Sequence, residues 1–125
     1  GLPESACAFE IDFEKFTAAM PKKDLQVKPV SSFPPAKEDI ALVVDADIPA
    51  ADVQQVIEKQ AGDLLEEVRL FDVFSGDQLG EGKKSLAFSV KIRSGEGTLS
   101  ASEIQAVRTR IIKATAKRFK ATLRA

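Results

Sequence analysis

Between Ser85 and Arg93 the chain alternates without a break. Leu86, Phe88, Val90 and Ile92 are large and apolar, while Ser85, Ala87, Ser89, Lys91 and Arg93 are small or basic. Successive side chains of a strand point to opposite faces, so this run predicts a strand with one face packed and the other open. Such a strand needs a layer of helices on one side only. Two stretches can supply it. Ala50 to Ala61 carries Val53, Val56, Ile57 and Ala61 at helical spacing, opens after Pro49 with an early acid, Asp52, and stops at Gly62. Ser100 with Glu103 three residues on has the capping-box signature, and Ile104, Val107, Ile111 and Thr115 follow on one face with Phe119 near the end.

Two more strands complete the pattern. Ile40 to Asp45 is a β-branched and apolar run. Val68 to Phe74 reads as a strand with Val68, Leu70, Asp72 and Phe74 on one face and Arg69, Phe71 and Val73 on the other. Ser75 to Gly82 is a glycine-punctuated turn, Ser94 to Thr98 a loop, and Ala121 to Leu123 a last short strand. The order β-α-β-β-α-β predicts an α+β, ferredoxin-like fold, a four-stranded antiparallel sheet with two helices on one face. An open sheet face of small and basic residues is where RNA-binding modules of this shape hold their ligand.

The N-terminal stretch is different. Cys7, Phe9, Ile11 and Phe13 alternate with Ala8, Glu10 and Asp12, which predicts a half-buried strand over Ala6 to Phe13. Lys15 to Met20 reads as a short helical or turn segment ended by Pro21, and Lys22 to Pro35, with three prolines and two serines, as an extended connector. Residues 1–31 are too short for a domain and read as the tail of a preceding domain plus a linker, with the domain proper over 32–125. Gly1 in place of Met fits a trimmed piece of a longer protein.

Composition narrows the chemistry. There is no histidine, which removes the usual general base near neutral pH, the Ser/His and Cys/His nucleophile pairs and the commonest metal ligand. Cys7 is the single cysteine, so no internal disulfide or zinc site is available; a buried, inert thiol is expected, in keeping with a reducing, cytoplasmic setting. No apolar run approaches the ~20 residues that span a bilayer, so no membrane partner is expected. The net charge of −1 conceals a division: residues 1–82 hold 7 basic and 17 acidic side chains, residues 83–125 hold 11 basic and 2 acidic. Arg108, Arg110, Lys113, Lys117, Arg118, Lys120 and Arg124 fall in a stretch with no acid after Glu103. This polarity suits either a polyanion-binding face or a mixed surface made by folding the halves together.

Two motifs argue against other chemistries. Gly76, Gly80 and Gly82 before Lys83, Lys84 and Ser85 resemble a phosphate loop in composition, but the spacing is wrong and a strand follows where a helix is needed. The carboxylates show no calcium-loop spacing. Asp72 stands apart, because it lies between Leu70 and Phe74 in an apolar strand and so requires a partner or an open face.

The segments Phe33-Pro34, Asp39-Ile40-Ala41-Leu42-Val43-Val44, Leu70-Phe71-Asp72-Val73-Phe74, Glu81-Gly82-Lys83-Lys84-Ser85-Leu86-Ala87-Phe88, Thr98-Leu99 and Arg118-Phe119 with Ala121-Thr122-Leu123-Arg124 carry a resemblance. In order and spacing they resemble the ferredoxin-fold anticodon-binding domain that closes the β subunit of bacterial phenylalanyl-tRNA synthetase. That resemblance implies a subunit of an α2β2 ligase that charges tRNA with phenylalanine using ATP and magnesium, with catalysis in the α subunit and anticodon contact here. It implies a chain with no catalytic residue, metal or cofactor of its own, monomeric when isolated. By carry-over, Asp72, Phe74, Lys83 and Ser85 are the anticodon-contact candidates, Phe74 by stacking; Lys91 and Arg93 extend the basic track. Lys37 and Glu38 replace the arginine pair common in that family, Phe74-Ser75 its Tyr-Arg, and Gly97 an arginine. Two other readings compete: a structural or interaction domain with little RNA contact, and a small independent enzyme on the same fold.

Overall fold

The computed structural model describes residues 5–21 and 32–124. The chain divides into two compact units, Gly1–Val30 and Ser31–Ala125.

In the first unit the expected strand does not form. Residues 6–12 have no regular structure and are exposed, and helix α1 runs Phe13–Ala19. Asp12 caps it: its carboxylate accepts a hydrogen bond from the Lys15 N–H and pairs with the Lys15 ammonium at 3.0 Å. The alternation of residues 6–13 is real, but a strand requires a neighbour for its backbone groups, and none is present among the described residues. Cys7 is exposed, not buried as its type suggested. Residues 22–31, most of the expected connector, lie outside the described residues.

The second unit contains strands β1 (Ala36–Asp45), β2 (Leu65–Phe74), β3 (Lys83–Ile92) and β4 (Thr122–Leu123), with helices α2 (Ala50–Ala61) and α3 (Ala101–Phe119). The sheet order is β2-β3-β1-β4, and every pairing is antiparallel. β1 and β2 begin four and three residues earlier than the sequence indicated. The helices are placed as expected. Gly62 ends α2 at φ +58°, a left-handed value that glycine adopts without strain. The Ser100–Glu103 capping box is complete at the start of α3.

The alternating run of β3 decides the layers. Phe88, fully buried, and Leu86, Val90 and Ile92 pack with Ile40, Leu42 and Val44 of β1 against Val53 and Ile57 of α2 and Val107 and Ile111 of α3. Each fully buried aliphatic or aromatic side chain contributes about 1.5–3 kcal/mol relative to exposure. Thr115 is buried in α3 with its hydroxyl donating to the Ile111 and Ile112 carbonyls. Arg108 of α3 reaches Glu38 of β1 at 3.1 Å, tying helix to sheet. Both α2 and α3 therefore cover one face of the sheet and leave the other open.

Candidate nucleic-acid interface

The open face is built by register. Ser85, Ala87, Ser89 and Lys91 of β3 stand opposite Val43, Ala41, Asp39 and Lys37 of β1. On the other side β3 pairs with β2, and there the ladder is irregular: Leu70 pairs with Phe88, but Asp72 pairs with Ala87, leaving Phe71 as an extra residue in a bulge. The bulge inverts the phase of the strand's end. Asp72 and Phe74 stand opposite Ala87 and Ser85 on the open face, whereas Val68, Leu70 and Val73 stand opposite Val90, Phe88 and Leu86. The grouping of Val68 and Leu70 with Asp72 and Phe74, expected from strict alternation, is thereby corrected. Phe71 joins the open face too, so the two phenyl rings share a side of the sheet.

At one end of this face, Phe74 lies beside the turn. Gly76 is extended, and a Cβ there would sit 3.0 Å from Phe74 Cζ, so the absence of a side chain lets the ring lie close over the turn. From the opposite edge of the sheet, Arg124 places its guanidinium 4.7 Å from the Phe74 ring centroid. Asp72 is exposed. Ser85, in the same row as Phe74 and Val43, is only 2% exposed, so it supports this row from below and offers no accessible hydroxyl. Lys83 is paired with Asp45, its cross-strand partner, and holds that carboxyl below its ordinary value, first by hydrogen bonding and then by its charge.

At the other end, β1, β3 and β2 frame a groove of ≈ 480 Å³ lined by Lys37 and Asp39, Ser89 and Lys91, and Glu67, Arg69 and Phe71. Lys91 and Arg93 do not form a bare basic track. Both bind Glu66, Lys91 at 2.7 Å, and their hydrogen bonds hold the Glu66 carboxyl below its usual value. Lys37 lies 3.6 Å from Asp39. The six expected site residues are thus divided: Asp72, Phe74, Lys83 and Ser85 cluster at the turn end, Lys91 and Arg93 at the far end. Sequence reasoning does not single out Arg124 or Arg69. Arg124 is legible only as one of a basic series, and strict alternation sets Arg69 on the face away from Asp72, a separation that the bulge removes. The basic residues of α3 belong to the helix layer, behind this face.

Residues 31–124 match the family of the ferredoxin-fold anticodon binding domain. The chain belongs to that family. Its relatives include longer proteins. The phenylalanine–tRNA ligase β subunit of Bifidobacterium longum is 46% identical over 125 residues, which is 100% of this chain and 14% of that protein. That of Thermobifida fusca is 44% identical over 124 residues, 99% of this chain and 15% of the protein. That of Cutibacterium acnes is 48% identical over 103 residues, 82% of this chain and 12% of the protein. The chain therefore spans about 14% of the length of such relatives. Proteins hold unpaired bases on aromatic rings and cations, and in this anticodon-binding domain the open face of the sheet carries both.

Proposed function

We propose that the open face binds the anticodon of a phenylalanine-accepting tRNA, as the non-catalytic end of a phenylalanine–tRNA ligase β subunit. The observation that carries the proposal is the turn end of that face: the Phe74 ring with the Arg124 guanidinium over it and exposed Asp72 on the same strand. A base stacks on Phe74, Asp72 accepts from base amino groups, and Arg124 and Lys83 attract phosphate. Ser85 acts beneath Phe74, and Lys91 and Arg93 contribute once Glu66 releases them.

In this proposal the larger enzyme carries out ATP- and magnesium-dependent aminoacylation in the cytoplasm. Its α subunit, in an α2β2 assembly, supplies the catalysis, and residues 1–31 are the end of a preceding domain. Among the described residues no three acidic or cysteine side chains converge to hold a metal ion. Magnesium in this reading serves the larger enzyme. No described helix is long and apolar enough to cross a membrane.

The ion pairs of Lys83, Lys91 and Arg93 favour one second reading, a structural domain with little RNA contact. Titration of the chain with a phenylalanine-accepting tRNA transcript at low and moderate salt, beside a transcript of changed anticodon and a Phe74→Ala variant, separates the two. Anticodon-dependent binding that Phe74→Ala loses supports the RNA face. Equal binding of both transcripts, or none at low salt, supports the structural reading.

A further inference from the structure

The bulge in β2 places Asp72 and Phe74 on the same face as Phe71, which keeps the phase of Arg69 and stands 49% exposed at the rim of the groove framed by β1, β3 and β2. Neighbouring cations in that groove already have acidic partners, Lys37 in Asp39 and Lys91 in Glu66. Arg69, also lining the groove, makes no ion pair among the described residues. A half-exposed phenyl ring beside an uncommitted guanidinium, above a cleft large enough for one nucleobase, is the chemistry by which proteins hold single-stranded nucleic acid. The carboxylate of Asp39 and the hydroxyl of Ser89 at the groove floor can accept hydrogen bonds from the amino groups of a base.

We propose that this groove is a second nucleotide station: a base of the bound strand stacks on Phe71, and Arg69 takes its phosphate. The inference rests on the RNA reading above and extends it from one ring to two. The first ring, Phe74, stands in the row of Ser85, and the second, Phe71, sits at the bulge between the rows of Ala87 and Phe88, two to three residues farther along β3, roughly 8 Å at the rise of a strand. That is within reach of one short unpaired strand lying across β2 and β3. The bound RNA then runs along the sheet toward the Lys91 end and does not cross to the basic face of α3.

The test is fluorescence anisotropy of the 125-residue chain with a labelled anticodon arm of a phenylalanine-accepting tRNA, using Phe71→Ala, Phe71→Tyr, Arg69→Gln and Phe74→Ala variants. Phe71→Ala is expected to weaken binding roughly tenfold, the scale of one lost base stack, with an unchanged melting temperature. Phe71→Tyr, which keeps the ring, retains binding. Arg69→Gln lowers the slope of log affinity against log salt by about 0.7, the value for one phosphate contact on a single strand. If Phe71→Ala binds as the wild type does while Phe74→Ala loses affinity, the second station is overturned and the anticodon reading stands. If Phe71→Tyr fails as Phe71→Ala does, the stacking role is overturned. If the wild-type chain does not bind the arm at low salt, the anticodon reading itself falls, and the second station with it.

Discussion

Arg124 and Phe74, at opposite edges of the four-stranded sheet, meet on its open face, the guanidinium 4.7 Å from the ring centroid. Phe74 closes β2 and Arg124 follows β4, with the Arg124 N–H donating to the Ala41 carbonyl to hold the last segment against β1. The contact sets a cation against an aromatic ring on the proposed RNA face, and it ties the C-terminal segment to the candidate site.

Arg124→Ala is therefore expected to act twice. Loss of an exposed cation–π contact lowers stability by about 0.5–1 kcal/mol, read from urea denaturation. Loss of one cation lowers the salt slope of RNA binding by about 0.7. An unchanged slope would place Arg124 outside the RNA footprint.

Gly76→Ala tests the fit of the Phe74 ring to the turn. The backbone there is extended, so the substitution brings no conformational strain, but the new Cβ would lie 3.0 Å from Phe74 Cζ and the ring must tilt away. The expected outcome is a shift of the Phe74 ring resonances and a several-fold loss of RNA affinity, with stability changed by less than about 1 kcal/mol. Unmoved ring resonances would show that the turn yields instead.

Glu66→Gln separates stability from binding. The Glu66 carboxyl lies below its ordinary value of 4.5, because Lys91 first and Arg93 second donate hydrogen bonds to it. A folded-state value lower than the unfolded one means that the pairing stabilises the fold above about pH 4.5 and is lost as pH falls through the lowered value. The melting-temperature gap between wild type and variant is therefore expected to be present at pH 7 and to close on acidification. At pH 7 the variant frees Lys91 and Arg93 from Glu66, so it binds RNA more tightly and with a steeper salt slope than the wild type.

Ser100→Ala addresses the helix layer alone. Ser100 accepts from the Glu103 N–H, and the Glu103 carboxylate accepts from the Ser100 N–H at 2.8 Å. Loss of the Ser100 hydroxyl is expected to cost about 1 kcal/mol in urea denaturation. RNA affinity in native buffer should not change, because α3 packs on the far face of the sheet.

Much of this arrangement follows from local pattern. The period-two run Ser85–Arg93 specifies both a strand and which of its sides is buried, and the Ser100–Glu103 pair sets the start of α3. The stripe Val53, Val56, Ile57, Ala61 is buried as its spacing requires. The glycines at 80 and 82 adopt positive φ in the hairpin turn, where a phosphate loop would have required a helix. The same rule of alternation fails at residues 6–13, since a strand is a pairwise object and those residues have no neighbour to pair with among the described ones.

The site was less legible, and the bulge explains most of the difference. Local pattern was enough for the fold class, the helix-covered face and the presence of Asp72 and Phe74 on one strand, because periodicity and capping depend on residues a few positions apart. It took the assembled sheet to put Phe71 on their face, to bury Ser85 beneath the row, to hold Lys91 and Arg93 on Glu66 and to bring Arg124 over Phe74. Each of these depends on how one strand registers with another, or on groups that are distant in the chain and adjacent in space, and no local period encodes such a meeting.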